Sequence, residues 1–314
     1  MQYLMVLIAL IFLAVKGYCG KKTSNLVRET SDAFLFNFMR MLFCALIGFV
    51  IIFAEGTMNY LKVDWKMLLI CLLSGVANVA FIVGWMLAVR KNSMVSVEVG
   101  LTLGSLIPSL LCAWLFAEEL SLLKMIGFAI IVLATVIVAG NNKSTAKGGL
   151  VGVILLLFAI IGDGMSGFSQ QLYKQYCTEA GSMAQGVFYP KTVFHFYTYL
   201  FGMIALLLAV IVYKIITKNK NGEKTNAGSL TVIPKNIMLH IFIMAVCLFA
   251  ANYFQTVATG DYGMPSQVMY PIIKGGCLIT VNLTASLFFG EKMTLRTILG
   301  SVVAMVGILC MSIL

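Results

Sequence analysis

The sequence predicts an all-α membrane protein with ten transmembrane helices. Of its 314 residues, 61% are hydrophobic and only 11% are charged, and the mean hydropathy is +0.98. Soluble domains carry about 25% charged residues, so this chain has too few polar side chains to cover a soluble protein of its size. Ten apolar stretches follow one another, each long enough to cross a bilayer with roughly 20 helical residues.

Short segments containing charged residues, Asn, Gly or Pro separate the predicted spans. No small-residue cleavage pattern follows the first span, so we expect it to be retained in the membrane rather than removed as a signal peptide. Little of the chain remains for a soluble domain. The spans cover approximately residues 2–20, 32–53, 66–89, 93–116, 122–140, 148–172, 184–214, 236–258, 264–289 and 294–314.

The second half of the chain repeats the first when the sequence is shifted by 173 positions. Each half contains five spans, so the second copy would enter the membrane from the opposite side. Inverted repeats are typical of secondary transporters, whose sites lie near the midplane between the halves. The predicted units are therefore residues 1–140 and 141–314. The shift aligns Ala77 with Ala250, Phe81 with Phe254, Ser93 with Ser266, Val95 with Val268, Glu118 with Glu291, and Gly127 with Gly300.

Three segments resemble the EamA-like proteins, which are ten-helix members of the drug/metabolite transporter superfamily. They are FNFMRMLF (36–43), SMVSVEVGLTLGSLIPSLLCAWLFAEELSLLKMIG (93–127) and SQVMYPIIKGGCLITVNLTASLFFGEKMTLRTILG (266–300). The resemblance implies carrier-mediated transport of small metabolites, amino acids or drugs in a bacterial inner membrane. The first span differs from the family pattern, because FLAVKGYCG (12–20) stands where family members often have Trp-Gly.

Four ionisable residues lie deep inside the predicted spans, at about 1.5 Å of depth per residue from the span ends. They are Arg40, Glu98, Asp163 and Lys274. Charges at membrane depth cost about 2.5–3.5 kcal/mol or more and are functional candidates. We predict that Lys274 or Arg40 holds a carboxylate or phosphate-like group of a substrate, and that Glu98 binds an amine or takes up a coupling proton. Alternatively, Glu98 pairs with Arg40 or Lys274 as a structural ion pair.

The ninth span combines a proline with two glycines next to its lysine. Pro271 precedes Lys274 by three residues, and residues 275–276 are both glycine. Proline removes a helix hydrogen bond, so we predict a kink or unwinding near the midplane; close helix packing against the glycines is the alternative. Gly104 and Pro108 give the fourth span a weaker version of this pattern.

Uncharged polar residues complete the predicted substrate site. Asn78, Tyr270 and Gln255 are the candidates that accompany Lys274, Glu98 and Arg40, although interhelical hydrogen bonding also explains such side chains. Lys16 and Lys191 are predicted to lie near span ends and to reach water. The wider set of uncharged candidates is Asn78, Trp85, Ser105, Asn252, Gln255, Tyr270 and Asn282.

Two other classes of function are compatible with a polytopic membrane protein. Residues 164–167, Gly-Met-Ser-Gly, resemble the GxSG motif of rhomboid intramembrane proteases, and His195 could activate Ser166. Such small-residue patterns are common in packed membrane helices, and ten spans do not match rhomboid architecture, so we predict that the protein is not an enzyme. The second class is a non-transporting receptor or scaffold. With two histidines and no cysteine pair at ligand spacing, no metal site or cofactor is predicted.

Charge distribution bears on partners and orientation. Basic residues are spread over short loops, which predicts contact with lipid headgroups rather than nucleic acid. Fourteen of them lie on the predicted face opposite the amino terminus and four on the other, so the positive-inside rule places both termini outside. The family resemblance implies the reverse orientation. A small-molecule substrate, possible proton or ion coupling, and a monomer or homodimer complete the expected partners.

Overall fold

The structure, a computed structural model, is helical throughout its described part except for short connections. It describes residues 1–24, 30–91, 94–117, 121–139, 145–179, 181, 183, 188–220, 235–290 and 294–312. Two short 3-10 helices cover Met58–Leu61 and Thr102–Ser105. The α-helices are α1 (Gln2–Ser24), α2 (Thr30–Ala54), α3 (Trp65–Lys91), α4 (Met94–Leu101), α5 (Leu106–Phe116), α6 (Leu122–Ala139), α7 (Thr145–Cys177), α8 (Lys191–Lys220), α9 (Lys235–Gly260), α10 (Ser266–Phe289) and α11 (Leu295–Ser312).

These helices correspond to the ten predicted spans. Within the described residues, eight segments are long and apolar enough to cross a membrane, and one of them, Met94–Phe116, joins α4 to α5 through a 3-10 turn. Two shorter apolar segments, Leu122–Ile137 and Ile298–Met311, lie in α6 and α11. The predicted all-α, polytopic membrane fold is confirmed.

The exterior of the helix bundle is apolar, whereas part of its interior is polar. Phe53, Trp114 and Leu150 are each more than 70% exposed, as expected for side chains that face lipid. In contrast, Arg40 is 3% exposed, and several amide side chains are equally buried. Polar groups inside a membrane are expensive and usually face other helices or a water-filled cavity. The interior is therefore the place to look for a site.

Helices from the two halves pack mainly against each other. The most extensive contacts join α3 to α7, α6 to α11, α1 to α9, and α2 to α8. Glycines permit close approach at these contacts: a Cβ added at Gly75 would lie 2.6 Å from the Thr198 carbonyl oxygen, and one at Gly84 would lie 2.9 Å from the Ala159 nitrogen. Residues before and after position 140 consequently form one interlocked bundle.

The fourth span is interrupted, whereas the ninth is continuous. The 3-10 turn Thr102–Ser105 separates α4 from α5, but α10 remains helical through Pro271. The predicted unwinding of the ninth span is therefore wrong, whereas the kink stays a prediction. Proline removes the hydrogen bond to the carbonyl four residues earlier; for Pro271 this carbonyl belongs to Gln267 in the first turn of α10, so little of the helix is affected.

Packing accounts for the two glycines of α10. A Cβ added at Gly276 would lie 2.5 Å from Leu10 Cδ2 on α1, and one at Gly275 would lie 3.1 Å from Ile308 Cγ2 on α11. These glycines allow α10 to approach its neighbours, which is the alternative role that the sequence had left open.

The fourth and ninth spans end in the same backbone conformation. The residue after α5, Ala117, has φ 53°, and the residue after α10, Gly290, has φ 59°. Both conformations are left-handed. Among the described residues, Ala117 is the one non-glycine residue with a positive φ. The two positions are 173 residues apart, which is the shift that aligns the halves in sequence.

Candidate functional site

A cavity lies inside the bundle between helices of both halves. It encloses about 870 Å³ of space, including the solvent onto which it opens. Residues of α1, α3, α4 and α5 line it from the first half, and residues of α7, α9 and α10 from the second. Its polar lining residues are Lys16, Asn78, Trp85, Glu98, Ser105, Asp163, Ser166, Gln170, Asn252, Gln255, Tyr270, Lys274 and Thr280.

Five of the six predicted substrate-binding residues line this cavity, and the sixth lies beside it. Arg40 is on α2 and lines a smaller adjoining cavity, which shares Lys16, Phe81 and Trp85 with the larger one. The five residues in the larger cavity are Asn78, Glu98, Gln255, Tyr270 and Lys274.

Lys274 forms an ion pair with Asp163 across the interface of α10 and α7. The Lys274 Nζ and Asp163 Oδ2 atoms are 2.5 Å apart, and each side chain is less than 15% exposed. Asp163 also lies against the interrupted span, because a Cβ added at Gly104 would be 2.6 Å from its Oδ2. The counter-ion of Lys274 is thus Asp163 on the sixth span, not Glu98.

Glu98, on α4, is held by a neutral hydrogen-bond donor. Trp85 Nε1 donates to its Oε1 over 2.9 Å. Lys16, Lys274 and Asp163 are all close enough to interact electrostatically with the Glu98 carboxyl group. The cavity therefore brings two acidic and two basic side chains together from four different spans.

Lys16, which was predicted to lie near a span end, lines the cavity instead. Helix α1 continues four residues beyond its predicted end, to Ser24, so Lys16 lies about 12 Å inside it at 1.5 Å per residue. Its Nζ is 5.1 Å from the centroid of the Phe81 ring, and Lys274 Nζ is 5.8 Å from the same ring. The signal that could have located the end of α1 is the pair of lysines at 21–22, since basic residues favour the last turn of a helix.

Lys191 lies where the sequence analysis placed it, at the end of a helix. It is the first residue of α8, and its Nζ is 2.5 Å from Asp261 Oδ2 in a partly exposed ion pair. Lys191 is therefore separate from the charged residues of the cavity.

The uncharged polar residues connect the lining helices to one another. Asn78 Nδ2 on α3 donates to Ser166 Oγ on α7 over 3.0 Å. Tyr270 on α10 donates to the Gly167 carbonyl oxygen over 2.6 Å. Asn252 Nδ2 on α9 donates to the Tyr199 hydroxyl over 2.9 Å. These hydrogen bonds fix the shape of the cavity wall, and the same groups can also face a solute.

Ser166 and His195 do not form a nucleophile–base pair, because each is hydrogen-bonded to a different residue. Ser166 Oγ accepts from Asn78, whereas His195 Nε2 is hydrogen-bonded to Thr256 Oγ1 at 3.1 Å. His195 is otherwise surrounded by aromatic rings, among them those of Phe194 and Phe249. Nothing in this arrangement supports the protease alternative.

The described residues contain no cluster of three or more His, Cys, Asp or Glu that could hold a metal ion.

Residues 1–140 match the EamA-like transporter family. This match confirms the family resemblance over helices α1–α6, which supply the first-half wall of the cavity. No curated protein matches the chain. The chain is thus a multi-pass membrane protein whose matched part resembles transporters of small solutes.

Proposed function

We propose that this protein is a secondary transporter that moves a small organic solute by alternating access. The family of residues 1–140 consists of membrane transporters of small solutes. The observation that carries the proposal is the charged cavity between the two halves of the chain. A site built from both halves can change its access from one membrane face to the other when the halves move relative to each other.

Two five-helix repeats, residues 1–140 and 141–314, would supply this motion. The main helix contacts support the proposal, because each joins one half to the other. The matching left-handed residues Ala117 and Gly290 support it as well. In this view the substrate binds near the midplane, where the charged side chains of both halves meet.

The cavity residues suit distinct parts of a polar solute. Glu98 has a carboxylate oxygen available to an amine or a coupling proton, since its Oε1 is bonded to Trp85. Lys274 can bind an anionic group if its bond to Asp163 weakens. Asn78, Tyr270 and Gln255 provide hydrogen-bonding groups for the remainder of the solute.

Transport would draw its energy from an ion gradient or from solute exchange, because the sequence contains no nucleotide-binding loop. The proposal includes a bacterial inner membrane as the location, no enzymatic activity and no cofactor. Lipid would be the surrounding partner, and the working unit would be a monomer or a homodimer.

Transport by purified protein in lipid vesicles tests the proposal. A thermal-stability screen against metabolites first identifies a ligand, since binding to the native state raises the melting temperature. Uptake of that labelled ligand is then measured for the wild type and for Glu98→Gln. We expect the variant to lose about tenfold or more of the rate, because one charge-assisted contact contributes about 1.5–3 kcal/mol.

Glu179→Gln is the matched control, because Glu179 is exposed outside the spans. It should transport like the wild type. Full transport by both Glu98→Gln and Lys274→Met would reject the proposed site, and the absence of ligand movement by well-folded wild-type protein would reject the transporter itself.

A further inference from the structure

The described interior charges do not balance. Lys16, Arg40 and Lys274 carry three positive charges, and they lie close enough for Lys16 to interact electrostatically with the other two. Glu98 and Asp163 provide two negative charges to the same region. One positive charge is therefore left without an acidic counterpart among these groups. A surplus charge at membrane depth is costly unless something compensates it.

Arg40 is the most conspicuous member of this set. It is only 3% exposed, yet its Nε and Nη2 atoms have no hydrogen-bond partner among the described residues. Buried guanidinium groups normally form several hydrogen bonds, because leaving a buried charge uncompensated is strongly destabilising. Two donors of this buried arginine are therefore unbonded among the described residues and available to a ligand.

Lys16 faces the same small cavity as Arg40. This cavity has about 220 Å³ of space, including the solvent onto which it opens, and its described lining residues are Lys16, Arg40, Phe81, Ile82, Trp85 and Met244. Among the described residues that line it there are two cations, no acidic side chain, and several apolar and aromatic groups. Lys16 forms no ion pair with a described acidic residue and instead has its ammonium group over the Phe81 ring.

We propose that Arg40 and Lys16 form an anion subsite that holds a carboxylate group of the transported solute. This inference rests on the proposed transport function and specifies the chemistry of its substrate. The solute would lie in the larger cavity, and its carboxylate would enter the smaller one. Lys16, Phe81 and Trp85 line both cavities and mark the connection between them.

The open edge of Arg40 favours a carboxylate over other anions. Nε and Nη2 lie on the same edge of the planar guanidinium group, and together they present two parallel N–H donors. Such a fork matches the two oxygens of a carboxylate in a bidentate pair. Lys16 would add a third, charge-assisted contact to one of these oxygens.

Trp85 provides a direct optical reporter of this subsite. The sequence has three tryptophans, and replacing Trp65 and Trp114 by phenylalanine leaves Trp85 alone. Both replaced side chains are largely exposed, so the fold should tolerate the changes. The experiment titrates this purified protein in detergent with sodium acetate and sodium propionate, and with sodium chloride and sodium phosphate at equal ionic strength.

We expect saturable changes in Trp85 emission with the two carboxylates and only weak changes with chloride and phosphate. Arg40→Gln and Lys16→Gln should each raise the half-saturating carboxylate concentration by about tenfold or more, since each removes a charge-assisted hydrogen bond. Arg40→Lys should recover little of the carboxylate binding that Arg40→Gln loses, because lysine cannot form the bidentate pair. Lys62→Gln, at an exposed position, should bind like the parent protein.

An anion subsite and a purely structural role of Arg40 predict opposite changes in the melting temperature of Arg40→Gln. Without an anion, Arg40→Gln should melt at or above the parent temperature, because it removes an uncompensated buried charge. A marked fall in melting temperature, or carboxylate binding unchanged in both Arg40→Gln and Lys16→Gln, would overturn the subsite. A stronger response to phosphate than to acetate would overturn the choice of carboxylate.

This binding measurement is independent of transport. Carboxylate binding by a protein that moves no solute in vesicles would reject the proposed function and leave the subsite standing. Transport of an uncharged or purely cationic solute, without carboxylate binding, would reject the subsite alone.

Discussion

The fourth and ninth spans occupy equivalent places in the predicted repeat but differ in structure. Both contain a proline, and both end in a left-handed residue 173 positions apart. The fourth span breaks at Thr102–Ser105, whereas α10 is an unbroken helix of 24 residues. The comparison shows that the position of a proline within a helix matters more than its presence.

Local hydrogen bonds explain how the fourth span tolerates its break. Pro108 cannot donate to the Gly104 carbonyl group, which lies in the middle of the span. Nearby hydroxyl groups bond to backbone carbonyls: Thr102 Oγ1 donates to Val99 over 2.6 Å, and Ser105 Oγ donates to Thr102 over 2.7 Å. Irregular backbone at membrane depth survives only where protein or water satisfies it. We therefore expect the fourth span to be the more flexible element and the ninth the more rigid one.

The ion pair that links these spans should have the largest effect on stability. Asp163 contacts Gly104 on the interrupted span and pairs with Lys274 on the continuous one. Lys274→Met or Asp163→Asn should each lower the free energy of unfolding by about 3–5 kcal/mol, because each leaves one buried charge unpaired. Denaturant unfolding in detergent measures this loss.

The double variant distinguishes pairing from simple packing. Combining Lys274→Met with Asp163→Asn should recover most of the loss, since no unpaired charge remains. Strictly additive losses would mean that the two residues act independently and that the link between the spans is not electrostatic.

Replacing each proline by alanine tests the difference between the fourth and ninth spans. Pro108→Ala restores a backbone donor in the middle of the fourth span and should raise the free energy of unfolding by about 1–3 kcal/mol. If the break is needed for motion, the same variant should slow transport in vesicles. Pro271→Ala should change stability by less than about 1 kcal/mol and leave the transport rate near that of the wild type, because the carbonyl that Pro271 leaves unbonded belongs to Gln267 in the first turn of α10. Equal effects of the two substitutions would contradict the proposed difference in rigidity.

Substitutions at the two left-handed residues should change the free energy of unfolding least, and they compare equivalent positions of the two spans. Ala117 adopts a left-handed conformation that costs a non-glycine residue about 1–2 kcal/mol. Ala117→Gly should therefore raise the free energy of unfolding by about 0.5–1 kcal/mol, and Gly290→Ala should lower it by a similar amount. Thermal melting of both variants measures the shifts, and shifts of the same sign would contradict the shared conformation.

The spans could be predicted from sequence because membrane burial imposes a simple rule on each segment separately. Apolar length and flanking charges predict ten spans; eight correspond to described segments long enough to cross a membrane and two to shorter apolar helices. The ends of the helices matter for the site: a first span that ends at residue 20 leaves Lys16 near the membrane surface, whereas α1 continues to Ser24 and Lys16 lines the cavity.

Pairing between charges could not be predicted in the same way. Depth along a span placed Glu98 and Lys274 in comparable positions, but it does not specify which helix faces which. Helix α7 packs against the fourth span, and Tyr270 on α10 bonds to Gly167 on α7; together these contacts bring Asp163 to Lys274. The break in the fourth span likewise depends on where Pro108 falls within a helix that the sequence delimits only approximately. Three-dimensional packing decides both.

The surplus positive charge has an electrical consequence for the empty protein. Moving one elementary charge across the whole membrane potential changes the energy by about 2.3 kcal/mol per 100 mV, and a charge that changes its access between the two faces senses part of that field. The voltage of an energised membrane would therefore hold the empty protein with Arg40 and Lys16 connected to the electrically negative side. A bound carboxylate would neutralise the surplus and make the loaded protein insensitive to voltage.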